Sequence, residues 1–417
     1  MKLNKYFLPL IIIAFAFFII GFGVGINGIM VPILEQTFSL SKGMSYLVLT
    51  ATFSAFLIFG GPSGWVVKKI GYKKSLIIAL FIMSMGMFLF IPSAKMSASM
   101  AGFYLFLVAS FIGGIGNTLL QTTINPYVAI IEPVEKAAQR MCLMGIMNQS
   151  AWFLGPIFLS LFIDVKNPML ANAAIPFGMA AGIIALFALA MIFIPLPEIA
   201  AEGEGEEEIV VDNELVIAAN QKKNVWKFPH LWFGVLALFI YVGVETLPMA
   251  SVIDFARSIG VESPARYSMI GPVGMIIGYV ISIFSLQWLS QSKGLIIFSL
   301  IALISSILLV LLPPHIAIYF LSGLGLSHSI MWGCIWGLTI TNMGKFTKSA
   351  ASMLIIALVG GAAIPLIFGF LLDAIKIGDI ALPSDFQSAY RIFIPAYLYI
   401  LFYALIGHKI GRKASKV

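Results

Sequence analysis

Pro365-Leu-Ile-Phe-Gly-Phe-Leu-Leu-Asp373 restates an earlier stretch, Pro156-Ile-Phe-Leu-Ser-Leu-Phe-Ile-Asp164. Proline and aspartate are eight residues apart in both, and the copies are offset by 209 residues (365 less 156, 373 less 164). Each stretch closes an apolar run, and a basic residue, Arg140 or Lys348, opens it. A bilayer takes roughly 20 apolar residues in helical form, because in lipid every backbone polar group must be bonded within its own segment. Both runs meet that length. The chain therefore reads as a duplicated unit of membrane-spanning helices.

Counting outward from the two copies gives twelve runs. In the first half they cover roughly 7–34, 44–67, 75–93, 101–131, 141–163 and 172–195. In the second half they cover roughly 230–253, 267–290, 294–312, 316–341, 350–372 and 388–407. The expected fold is an all-α membrane protein with twelve transmembrane helices in two six-helix bundles. The expected division is 1–196 for the first bundle, 197–228 for an acidic linker and 229–417 for the second bundle. The linker opens with Pro195 and Pro197 and continues through Glu202-Gly-Glu-Gly-Glu-Glu-Glu208, a composition that favours solvation over packing.

Composition agrees. Of 417 residues 60% are hydrophobic and only 10% charged, against about 25% charged in a soluble domain. Cys142 and Cys334 both fall in apolar runs and suggest neither a disulfide framework nor a zinc site. The net charge of +7 does not point to nucleic acid, because the basic residues sit between the runs. With the N-terminus inside, 18 of the 25 Lys and Arg residues fall on the inner side. The positive-inside rule then puts both termini in the cytoplasm of a multi-pass inner-membrane protein. The apolar run after Lys2 and Lys5 is too long for a signal peptide and is kept as the first span.

The fourth run carries a polar stripe. In Gly113-Gly-Ile-Gly-Asn117-Thr-Leu-Leu-Gln121-Thr-Thr-Ile-Asn125-Pro126, the amides Asn117, Gln121 and Asn125 are four apart and share one helix face. At membrane depth such a stripe needs a wet cavity or a partner helix. The preceding glycines allow a neighbouring backbone to come close. Asn27 lies in the first run, and Asn148 and Trp152 lie four apart in the fifth. His328, Trp332 and Trp336 form a second four-spaced stripe in the tenth. Glu245, in Tyr241-Val-Gly-Val-Glu245-Thr-Leu-Pro248, lies mid-run with no Lys or Arg at comparable depth. A lone buried carboxylate must be protonated, paired or bound to a cation, so Glu245 is read as a cation site, an acceptor for substrate hydroxyls, or a neutral structural group. Aromatic faces with amides and a carboxylate suit a polar solute with an apolar face; packing is the alternative reading for the tryptophans and for His328.

Two motif matches are set aside. Gly23-Val-Gly-Ile-Asn-Gly28 fits the dinucleotide fingerprint but follows no strand, and its glycines serve helix packing instead. Asn148-Gln-Ser150 fits a glycosylation sequon inside a membrane run. No P-loop, HExxH or Cys/His cluster occurs in the sequence. The chain is therefore read as neither an ATP-driven pump nor an enzyme, with no cofactor beyond a coupling ion, H+ or Na+.

These residues resemble the major facilitator superfamily, and within it the fucose–proton symporter family, closest to its glucose/galactose transporter-like branch. The likeness is carried by Asn27-Gly-Ile-Met-Val-Pro32, Leu120-Gln-Thr-Thr-Ile-Asn-Pro-Tyr127 with Glu132-Pro133, Ala137-Ala-Gln-Arg140 with Met144-Gly-Ile-Met-Asn148, Tyr241-Val-Gly-Val-Glu245, and Met331-Trp-Gly-Cys-Ile-Trp336 with Gly344-Lys-Phe-Thr-Lys348. The resemblance implies a substrate site between two bundles near mid-membrane. It also implies a monosaccharide, a hexose or amino-hexose, as the solute. Fucose permeases have acidic residues where this chain has Gly28 and Gln121, which argues against fucose and its proton route. The branch tends to keep Gln and Asn in the fourth span and Glu in the seventh, as here; where it often has a small–acidic pair after that Glu, this chain has Pro248-Met-Ala250. In the loop Gly64–Lys74, Lys68 stands where the superfamily usually has Asp, so the usual inner-gate charge relay is incomplete.

The expectation is a secondary active sugar transporter, cation-coupled through Glu245, acting as a monomer among membrane lipids with no nucleic-acid partner. The alternatives are an uncoupled sugar facilitator, an exporter of an amphipathic drug or lipid, and a non-transporting membrane receptor or scaffold. The expected substrate contacts are Asn27, Asn117, Gln121, Asn125, Asn148, Trp152, Glu245, His328, Trp332 and Trp336.

Overall fold

The structure, a computed structural model, describes residues 7–96, 99–130, 137–163, 169–197, 222–286, 288–341, 343, 346–378 and 380–411. All regular structure among the described residues is helical. The face from which the first span starts is called inner, and the opposite face outer.

The first span is Phe7–Phe38. The second and third spans form one helical stretch, Leu47–Lys95. At about 1.5 Å per residue, 49 residues would reach roughly 73 Å, more than twice the hydrocarbon core of a bilayer. The run is broken at Gly71, whose φ of 83° and ψ of 173° are open to glycine and costly for other residues. The sequence reading expects a loop over residues 68–74; the structure needs only this one residue. The fourth span is Met100–Ile130, the fifth Ala137–Ser160 and the sixth Leu170–Phe193.

In the second half the seventh span is Pro229–Ile259, ended by Gly260 in the left-handed conformation. The eighth is Pro264–Ser285, the ninth Gln291–Leu311, the tenth Pro314–Ile340 and the twelfth Pro383–Lys409. The eleventh is split into Thr347–Ala357 and Gly360–Ile375. The split falls just over one turn before Pro365, which cannot donate to the carbonyl of Gly361. Around it the ladder tightens to three-residue bonds, Leu358 to Ile355 and Val359 to Ile356 (both 3.2 Å).

Packing in one half repeats in the other. The first span packs on the fifth as the seventh packs on the eleventh. The third packs on the sixth, where Ser84 donates to the Ala181 carbonyl (2.8 Å), as the ninth packs on the twelfth. The fourth packs on the second and third as the tenth packs on the eighth and ninth. Between the halves, the fifth span meets the eighth and the second meets the eleventh, a pair of contacts that a two-fold axis exchanges. The duplication read from the Pro–Asp stretches is thus a duplication of contacts. Asp164, the earlier aspartate, lies outside the described residues, as does most of the acidic linker.

Glycines set the closest approaches. A side chain at Gly114 would run into the Thr52 carbonyl of the second span, and one at Gly86 into the backbone of Gly113. Gly21 faces the backbone of Asn148 and Gly25 that of Trp152 on the fifth span, while Gly23 faces Met87 of the third; of the discarded fingerprint, Gly25 thus serves the contact between first and fifth spans.

Candidate functional site

The fourth span carries its amides on one face, bonded along the helix: Gln121 Nε2 donates to Asn117 Oδ1 (3.1 Å). Asn117 is buried and also lines a small cavity with Thr52, Ser110 and Gly113. Asn125, one turn beyond Gln121, is buried, and its Nδ2 has no partner among the described residues. Pro126 follows within the same helix.

On the fifth span, Asn148 donates through Nδ2 to the Phe17 carbonyl of the first span (3.1 Å), and Gln149 Nε2 reaches Asn148 Oδ1 (3.4 Å). Gln149 Oε1 is buried without a partner among the described residues. Trp152 packs over Gly25 within the core of the first half. The side chain of Asn27 lies outside the described residues.

The second half builds its face from aromatic rings and one carboxylate. Glu245 is half-buried on the seventh span, one turn after Tyr241, whose hydroxyl interacts with it. The Tyr241 hydroxyl also donates to the His328 carbonyl (3.0 Å). His328 is buried and its Nε2 is bonded to the Tyr397 hydroxyl (2.8 Å) on the twelfth span. Trp332 lies next to Tyr241 (ring centroids 6.4 Å) and stacks on Trp336 (5.7 Å). Tyr279 of the eighth span and Tyr397 are within electrostatic range of Glu245. Tyr279 lies against Gly145 of the fifth span, so it joins this cluster to the other half.

Three groupings result: Asn117 with Gln121 on the fourth span, Asn148 with Gln149 against the first span, and Glu245, His328, Trp332 and Trp336, knit together by Tyr241. His328 is tied through Nε2 to Tyr397, and Trp152 packs in the core of the first half. Tyr279 and Tyr397 were not singled out from sequence, because a tyrosine in an apolar run reads as an interfacial or packing residue. Their one signal was an isolated hydroxyl at membrane depth, which must find a partner.

Among the described residues no group of three or more His, Cys, Asp or Glu side chains could hold a metal ion. The arrangement offers amide donors and acceptors in the first half, and a carboxylate with aromatic faces in the second.

A profile of the Major Facilitator Superfamily matches residues 13–369. The chain is 30% identical over 415 residues to a glucose/galactose transporter of Brucella abortus, covering 97% of this chain and 95% of that protein. It is 24% identical over 396 residues to the L-fucose-proton symporter of Escherichia coli, covering 89% of this chain and 88% of that protein. The crystal structure of an E. coli fucose:proton symporter superposes with a TM-score of 0.72 at 22% identity, covering 97% of this chain and 99% of that one.

Proposed function

The chain belongs to the major facilitator superfamily, and on that premise we propose that it is a secondary active transporter carrying a monosaccharide, a hexose or amino-hexose, by alternating access. The observation that carries the reading is Glu245, a carboxylate in the middle of a span beside the Tyr241 hydroxyl and the His328–Trp332–Trp336 stripe. Relatives that match from end to end and are named as sugar transporters supply the solute class.

The chemistry follows from the two faces. A sugar has hydroxyls around its rim and C–H bonds on its flat faces. Gln121 and Asn125 exchange hydrogen bonds with the rim, and the stacked rings of Trp332 and Trp336 cover a flat face. Glu245 accepts from a hydroxyl when ionised. Moving it through the membrane as a bare charge is costly, so the halves rock only after a cation, H+ or Na+, has neutralised it. Rocking of one bundle against the other then exposes the site to the opposite side.

The charge bias supports a cytoplasmic inner face carrying both termini, in an inner membrane. The working unit is a monomer surrounded by lipid. The test is uptake and counterflow of labelled hexoses in proteoliposomes, with and without a pH or sodium gradient. Sugar-specific counterflow is the expected result, and no counterflow with any hexose or amino-hexose overturns the reading. Counterflow without accumulation under either gradient leaves a facilitator.

A further inference from the structure

At the outer end, Lys42 of the loop after the first span sits between two carboxylates. Its Nζ lies 2.6 Å from Glu35, on its own half, and 2.8 Å from Asp254 of the seventh span. The side chains are nearly out of solvent, 10% exposed for Lys42 and 2% for Asp254. Asp373 of the eleventh span holds the same loop by its backbone. It accepts from the N–H groups of Lys42 (3.0 Å) and Gly43 (2.7 Å). There is no slack in the seam, because a side chain at Gly43 would run into the ring of Phe370.

We propose that Lys42 is the keystone of an ion-pair latch that shuts the outer mouth between the halves and parts each time the solute site opens to that side. The pairing pattern shows how it can part. Lys42 has Glu35 on its own half, Asp254 has Arg257 (2.9 Å) on its own half, and Asp373 has Lys376 (3.1 Å) on its own half. When the halves separate, every charge of the latch keeps a counterion, so none is left bare at the membrane edge. Closure adds the second partner. Burial alone would pull the Lys42 pKa down, but the neighbouring Asp254 and Glu35 carboxylates hold it above its ordinary value, so the ammonium stays charged in the closed form.

The inference rests on the transporter reading but on no particular solute. Its test needs no sugar, so its failure is distinct from a failure of sugar transport. Phe53 of the second span is 6% exposed and packs on Gly361 of the eleventh, in the seam that outer opening would part. A Phe53→Cys reporter in proteoliposomes is labelled from outside with a membrane-impermeant maleimide, with the parent chain as the blank for Cys142 and Cys334. Lys42→Met leaves Glu35 and Asp254 facing each other and should speed labelling at least tenfold, the factor that about 1.4 kcal/mol produces. Glu35→Gln should act in the opposite direction and slow labelling at least threefold, because Lys42 then has a carboxylate only when the latch is shut. A lysine that merely stabilised the fold would not give opposite signs. If Lys42→Met does not yield folded protein, Asp254→Asn, which keeps the shape, carries the same expectation of faster labelling. Parental labelling rates in the folded variants, or shifts of the same sign, overturn the latch.

Discussion

Asn117, Gln121 and Asn125 stand on the fourth span where His328, Trp332 and Trp336 stand on the tenth, each pair 211 residues apart (328 less 117, 332 less 121, 336 less 125). Both stripes lie on spans that pack against the two neighbours preceding them in their own half. The backbone plan is shared and the chemistry is not. On the fourth span the stripe is bonded along itself, Gln121 to Asn117, and ends at Asn125 in an amide nitrogen with no partner among the described residues. On the tenth the stripe is tied sideways to Tyr241 and Tyr397 of other spans and stacked ring on ring. A duplicated scaffold can thus hold two unlike walls. One offers exchangeable hydrogen bonds, and the other offers rigid apolar faces with a carboxylate beside them.

The contrast can be broken most severely at Glu245. Glu245→Gln keeps shape and hydrogen bonding but fixes the group as neutral. Exchange of labelled for unlabelled sugar should persist, while accumulation down an ion gradient should fall at least tenfold to equilibration. Accumulation at the parental level would make Glu245 a packing residue only.

A smaller loss is expected on the aromatic wall. Tyr397→Phe leaves His328 Nε2 buried without its partner, which costs about 1–3 kcal/mol. A lower thermal midpoint in detergent should report it, and an unchanged midpoint would show that the wall is not held from the twelfth span.

On the amide wall, Gln121→Ala removes a group whose bond among the described residues runs within its own helix. Stability should hardly move, while apparent sugar affinity should weaken by about two- to tenfold, the worth of one hydrogen bond at 0.5–1.5 kcal/mol. Unchanged affinity would remove Gln121 from the site.

The smallest structural effect is expected at Asn125. Its Nδ2 has no partner among the described residues, so Asn125→Leu should leave the thermal midpoint within a degree or two or raise it, since replacing an unsatisfied polar group by an apolar one is near neutral. A loss of sugar counterflow in that stable variant would show that the amide is kept for the solute.

The duplicated spans and the polar stripes were legible in the sequence because both are periodic signals, apolar length for a span and a four-residue step for a helix face. What escaped depends on distance along the chain. Lys42 and Asp254 are 212 residues apart, and nothing local to either reveals that they meet. Tyr279 and Tyr397 escaped for a related reason, because their hydroxyls are explained by partners on other helices. Lys68, Lys69, Lys73 and Lys74 make the stretch around Gly71 look like a loop, yet lysines at a membrane edge can stay helical and reach for water. The break in the eleventh span was implicit in Pro365, but a proline one turn below a break inside an apolar run does not say whether the helix bends or parts.

The stack of Trp332 on Trp336 also makes the molecule its own optical probe. Of its seven tryptophans, Trp65, Trp226, Trp232 and Trp288 are exposed at the surface by 38% or more, while Trp152 and the stacked pair are largely enclosed. Brominated lipids and an aqueous quencher together would darken the first four. The residual emission would then come from the interior, two of its three sources lying on the aromatic wall of the tenth span. A sugar seated against that wall would change the spectrum of an unlabelled, unmutated protein, and titrating that change would give an affinity in the absence of any gradient.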